Sequence, residues 1–209
     1  LLLIIITPIF TYEYEKDMVS LILTSKKCRV ITPACKIIAA RIITIILTAS
    51  FSVIEYVYYK IKYGLPSGNF PLQSIVLFKT STYHLSLMQT YLYISLIKII
   101  GFLLFTHLII FISVITKKTV LTLFTALSVI FIPYFVYFND SVKYKLPIPL
   151  GFMIGNGYFR GTESSKKFLA ISKQAFTLEF ICMILLLATF TVAAIRIFSK
   201  IKYNRGKQI

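Results

Sequence analysis

Residues 90–138 read TYLYISLIKIIGFLLFTHLIIFISVITKKTVLTLFTALSVIFIPYFVYF. Two apolar runs, 90–115 and 120–138, are separated only by Thr116-Lys117-Lys118-Thr119. Crossing a ~30 Å hydrocarbon core takes a helix of ~20 apolar residues, and both runs reach that length. So short a link makes them an antiparallel helical hairpin. Two further runs, 37–59 and 177–199, have the same character. The first contains Ile42-Ile43-Thr44-Ile45-Ile46, which would favour a strand in water. Buried strands, however, are only about 4–8 residues long, so length selects a helix. Composition agrees: 57% of residues are hydrophobic, 14% charged, and mean hydropathy is +0.82, whereas soluble domains carry about 25% charged residues. The chain therefore reads as an all-α, polytopic integral membrane protein with four complete spans. The opening LLLIIITPIF, residues 1–10, covers only about 15 Å as a helix. It has no basic n-region or cleavage site, so it reads as the end of a fifth, truncated span.

The charge of +16 comes from 23 Lys and Arg against 7 Asp and Glu. Basic–aromatic nucleic-acid motifs are missing. The cations instead fill the gaps between apolar runs, where they set topology and meet anionic headgroups. Segment 11–36 carries Lys16, Lys26, Lys27, Arg29 and Lys36, with Arg41 just inside the next span. The turn 116–119 carries Lys117 and Lys118, and the tail 200–209 carries Lys200, Lys202, Arg205 and Lys207. If the spans alternate, these three segments share one side, the cytoplasmic one. Loops 60–89 and 139–176 then face outward. The first holds the helix breakers Pro66, Gly68 and Pro71, after which 74–88 runs amphipathic into the next span. The second is rich in Pro and Gly yet too apolar for a solvated loop, so part of it should dip back or pack on the helices. Within it, Ser164 or Ser165 could cap a short helix through Ala175.

In the cytoplasmic segment, residues 12–25 have helical periodicity, with Tyr14, Met18, Leu21, Ile22 and Ser25 on one face. The acids Glu13, Glu15 and Asp17 come first, and Lys26, Lys27 and Arg29 follow the end, an order that suits the helix dipole. Such a helix either lies on the lipid surface or is presented to a cytoplasmic partner. Within the spans, Glu55 lies about 7 Å from the outer end of its run and Lys98 about 12 Å from the start of the next. A charge at the bilayer centre costs ~3 kcal/mol or more; a Lys98–Glu55 pair would reduce that cost, and separate snorkelling is the alternative.

His84 and His107 have no second ligand at metal spacing, and His107 reads as neutral and hydrogen-bonded. Cys28, Cys35 and Cys182 form no CxxC pair or disulfide framework and read as reduced. No HExxH, GxSxG or GxxxxGK[ST] motif occurs. No catalytic residue, metal or cofactor is therefore expected, and any ATP would be bound by another chain.

One set of residues resembles a known family. Phe10, Glu13-Tyr14, Leu21-Ile22-Leu23, Thr24-Ser25-Lys26, Arg29 and Lys36 follow in an order similar to that after the second span of ABC-2 type transporter permease subunits. The outer Leu65-Pro66, Pro71-Leu72-Gln73-Ser74 and Gly157-Tyr158-Phe159-Arg160-Gly161 look like that family too. Two family glycines are replaced, by Asp17 and Cys28. The resemblance implies a six-helix exporter subunit with about five helices present here, in the bacterial plasma membrane. It also implies re-entrant helices in 139–176 and a second permease subunit. A cytoplasmic ABC ATPase would dock on a coupling helix carrying Glu13, Tyr14, Glu15, Met18, Leu21, Ile22, Ser25 and Arg29. Two other classes remain open. An integral membrane enzyme would need ionisable residues such as Glu55, Lys98, His107 and Glu179 to converge. An ATP-independent carrier would favour repeats and broken helices, and Pro133 is the sole proline inside a complete run.

Overall fold

The computed structural model describes residues 1–19, 28–63, 68–79, 81, 83–138, 150–154, 159 and 173–200. Helices α1 (Leu2–Ile6) and α2 (Pro8–Glu15) are joined through Thr7, itself in helical conformation. The division falls at Pro8, which has no N–H to continue the backbone ladder. The other α-helices among the described residues are α3 (Cys28–Tyr63), α4 (Leu87–Thr116), α5 (Thr119–Phe138), α6 (Leu150–Ile154) and α7 (Lys173–Lys200). Among the described residues there is no strand, only an isolated bridge between Pro71 and Ser86.

Among the described residues, three helices are long and apolar enough to cross a bilayer: Val30–Lys62, Leu87–Thr116 and Phe180–Phe198. They make the chain a membrane-embedded helical protein. The pattern of exposure fits a lipid solvent. On α3, Ile38, Ile42, Ile46, Phe51, Val53, Ile54 and Val57 all lie exposed, as do Ile181, Ile184 and Leu185 on α7. Water would not tolerate apolar surface this continuous on a monomer. The apolar core of α4 is half buried, against 22% for α3 and 11% for α7, so α4 is the most enclosed of the three. The fourth expected span, α5, gives a shorter described apolar stretch, Thr119–Ile132.

Helix ends depart from the apolar boundaries. α3 begins at Cys28, nine residues before the apolar run at 37, and ends at Tyr63. Its 36 residues make a rod of about 54 Å, well beyond a ~30 Å hydrocarbon core. Hydropathy locates where a helix meets lipid, whereas Lys and Arg are good helix formers and let it continue into water. The segment 74–88, expected to run amphipathic into the next span, is not a single helix among its described residues. It forms 3₁₀ turns at Leu72–Ser74 and Val76–Phe78, and α4 starts only at Leu87. Ser86 sets that start with a reciprocal cap: its Oγ accepts from Gln89 N at 3.2 Å, and Gln89 Oε1 accepts from Ser86 N at 3.1 Å. At the other end, Lys117 takes a left-handed φ of 60°, and its N–H donates to Ser113 O at 3.0 Å. That single residue closes α4 and lets α5 begin two residues later.

The described chain gathers into two compact units. One comprises Leu1–Thr44, Leu104–Val129 and Leu185–Ile209, the other Ile45–Leu103 and Ile130–Ile184. Phe10, Leu104, Ile109, Ile110, Val114 and Phe198 are the buried centre of the first, and Leu72, Ile94, Ile97, Phe152 and Met183 that of the second. Within the second unit α6 lies directly on α4. A Cβ added at Gly101 would stand 2.7 Å from Met153 N and 2.8 Å from Phe152 C, and Phe152 is fully buried. Gly101 is fourteen residues into α4, about 21 Å from its start. A piece of the apolar Pro/Gly-rich loop therefore packs far down a spanning helix.

Candidate functional site

Helix α2 gathers polar contacts of the first unit along its length. Lys36 of α3 reaches it with three interactions at once. Its Nζ lies 2.5 Å from Glu13 Oε1, donates to Ile9 O at 2.6 Å, and sits 5.2 Å above the centre of the Phe10 ring. The pair is sheltered, with Lys36 and Glu13 side chains 18% and 15% exposed. The ammonium thus meets a carboxylate, a carbonyl in the first turn of the helix, and an aromatic face. Phe10 itself is fully buried and meets Phe198 of α7 edge-on at 6.2 Å. Tyr14, one turn further, meets the same ring at 6.2 Å and carries Lys117 Nζ above its own ring at 5.8 Å. Burial first, and then the adjacent Glu13 carboxylate, hold the Tyr14 hydroxyl above its ordinary pKa. Among the described residues, neither that hydroxyl nor Glu13 Oε2 has a hydrogen-bond partner.

Two further bonds tie α2 to the start of α5. Glu15 Oε1 accepts from Thr119 N at 2.7 Å, and the hydroxyls of Thr11 and Thr119 are 2.7 Å apart. Glu15 therefore caps the first orphan N–H of α5 with a negative charge, at the end where the helix dipole favours one. The bond lowers its carboxyl pKa.

Past Glu15 the helix stops. Met18 N donates to Glu13 O at 3.0 Å and Asp17 N to Tyr14 O at 3.4 Å, with Asp17 at φ 52°. Both bonds of a Schellman cap are present, and Asp17 occupies the left-handed position that glycine normally fills. The continuous helix expected over 12–25 is thus broken at Lys16–Met18. Periodicity could not reveal this, because the residue that turns the chain is an acid, one of the few non-glycine types tolerant of positive φ. Asp17→Gly should leave the fold intact and stabilise it by about 0.5–1 kcal/mol, and Asp17→Val should destabilise it by about 1–2 kcal/mol. Thermal unfolding of the two purified variants checks the ordering.

The expected coupling residues consequently divide. Glu13 is sheltered in its pair with Lys36, whereas Glu15 is exposed and bonded through one oxygen to Thr119 N. Tyr14 packs on α7, and Met18 is exposed after the turn. Leu21, Ile22 and Ser25 lie outside the described residues. Arg29 falls in the first turn of α3, and its side chain lies outside them.

Two intramembrane polar pairs complete the picture, each within its own unit. In the second unit, Lys98 Nζ is 3.1 Å from Glu55 Oε2, with side-chain exposures of 20% and 41%. In the first, Arg41 Nε donates to His107 Nε2 at 3.0 Å, and His107 is 2% exposed. An acceptor at Nε2 puts the imidazole proton on Nδ1, so His107 is neutral. Nearby, the buried hydroxyls of Thr44 and Thr106 are 2.7 Å apart. The Arg41–His107 contact was overlooked in the sequence because Arg41 stands near the rim of its apolar run. The signal was there: a cation inside the run, and one strongly polar residue midway along the next helix.

No protein family, curated protein or solved structure matches this chain. The residues must speak for themselves. Among the described residues no three His, Cys, Asp or Glu side chains approach as a metal set, and Cys35 and Cys182 are free thiols on exposed surface. What the first unit does offer is mechanical. Helix α2, the N-terminal part of α3, the end of α7 and the start of α5 are joined by charge, hydrogen bonds and ring contacts beside one helix-terminating elbow.

Proposed function

We propose that this chain is the membrane-spanning permease subunit of an ATP-driven ABC-2 type transporter, an exporter of the bacterial plasma membrane. In this reading α5 is a fourth span, a second permease subunit completes the pathway, and a separate cytoplasmic ATPase supplies the work. One observation carries the reading. Phe10, Glu13 and Lys36, three residues of the family-like motif spread over 27 positions, meet in one clamp. The left-handed Asp17, standing where the family pattern has glycine, supports it further. So does the packing of α6 on Gly101, because the resemblance implies a re-entrant segment there.

The clamp suggests how force would pass. An ATPase pressing on the exposed elbow beyond Glu15 would move α2, and Lys36 and Glu15 would transmit that movement to α3 and α5. The elbow's accessible apolar residue is Met18, 45% exposed. Met18→Asp, in the full-length subunit co-expressed with the candidate ATPase, should weaken the complex by about 2 kcal/mol, roughly thirtyfold in Kd. Lys36→Met should instead leave the ATPase bound while substrate-stimulated ATP hydrolysis in proteoliposomes falls several-fold. If Met18→Asp inserts normally and changes neither co-purification nor stimulated hydrolysis, the elbow is a lipid-surface anchor and the ATP-driven reading fails.

A further inference from the structure

A cavity of about 320 Å³ lies between α3, the 3₁₀ turns and the first two turns of α4. Tyr56, Tyr59 and Tyr91 wall it from the two helices, Leu72 and Phe78 close it from the turns, and Ile94 lines its deeper end. Among the described residues, no charged side chain lines it. Sites for small molecules run about 300–1,000 Å³ and share this apolar, aromatic lining.

The walls are built rather than collapsed. Leu72 N donates to Leu85 O and Leu87 N to Phe70 O, each at 2.9 Å, and Gln73 Nε2 donates to Tyr83 O at 2.9 Å. Tyr91 OH donates to the Ser52 carbonyl, and its ring lies 5.6 Å from that of Tyr56. Three tyrosines at the ends of two spanning helices match the aromatic belt at a membrane–water interface, where headgroup gives way to acyl chain. The surrounding charge is one-sided. Lys60 follows Tyr56 by one helical turn, Lys79 directly follows Phe78, and both are exposed. The single acid between residues 45 and 103, Glu55, is held by Lys98.

We propose that this cavity takes an acyl chain of an anionic bilayer phospholipid, whose phosphate lies against Lys60 and Lys79. The apolar walls accept the chain, the tyrosines set its depth, and the two lysines select the headgroup. The proposal does not depend on ATP coupling.

The chain contains no Trp, so a single introduced Trp is an unambiguous reporter. Tyr59→Trp on the wall and, as control, Phe135→Trp on the exposed face of α5 would each be placed in the full chain. The variants are reconstituted in phosphatidylcholine vesicles with increasing phosphatidylglycerol carrying brominated acyl chains. The wall reporter should quench saturably at a mole fraction several-fold below that needed at the control, and brominated phosphatidylcholine should not reproduce this. Lys60→Glu with Lys79→Glu should remove the preference, by about fivefold per lysine. Ile94→Phe, which fills the deeper end, should lower the maximal quenching at the wall and leave the control unchanged. Quenching that tracks the bulk lipid fraction equally at both reporters would overturn the proposal. So would indifference to headgroup charge, or to Ile94→Phe in a protein whose control reporter behaves normally.

Discussion

Gly101→Ala should destabilise the protein by about 1–3 kcal/mol, and Gly101→Leu by more. The sign is the informative part. At an open site within a helix, replacing glycine by alanine stabilises by up to ~1 kcal/mol, because glycine gives up more backbone freedom on folding. At Gly101 the new methyl would meet the backbone of α6 at 2.7 and 2.8 Å. Backbone cannot swing aside as a flexible side chain can. Either α6 lifts from α4, exposing the fully buried Phe152, or α4 bends. Thermal unfolding in detergent checks this, with Ser50→Ala on α3 as a reference at an exposed helical position. A Gly101→Ala protein as stable as the parent, or more so, would mean that α6 does not dock there.

Lys98→Ala should be the most damaging single change to the second unit's polar groups. It leaves the Glu55 carboxylate in a low-dielectric setting without the ammonium 3.1 Å away. Losing one partner of such a pair costs about 2–4 kcal/mol, discounted here because Glu55 is partly exposed. Removing both charges should cost less, since no uncompensated ion remains. The double-mutant cycle should therefore show a coupling of about 1–2 kcal/mol. Unfolding midpoints of Lys98→Ala, Glu55→Ala and the double variant supply the cycle, and additive effects would show that the two side chains do not depend on each other.

The lysine clamp and the glycine contact illustrate two kinds of legibility. Lys36 belonged to a motif, so its importance was readable before its partners were. Gly101 belonged to none: among spanning residues a glycine is unremarkable, and only the arrival of another backbone gives it meaning. Arg41 lies between these cases. Its place near the rim of an apolar run let its charge read as one that reaches water, and His107 is 66 residues away, so nothing local joined them.

By itself, the sequence determined the solvent. Run length and composition over 90–138 demanded helices in lipid, and Thr116–Thr119 demanded a tight turn between them; both are local properties summed along the chain. Tertiary structure alone decided how far α3 runs past its apolar part, where α2 turns at Asp17, and which side chains of α3, α4 and α6 meet. The physical reason lies in the bilayer. In water a helix advertises its buried face through amphipathic periodicity. In lipid the solvent is as apolar as the core, so helices are hydrophobic all round and their rotation about the axis leaves little trace in hydropathy. That rotation is set by close packing and by the few polar groups that must find one another, as Lys98 finds Glu55 and Arg41 finds His107.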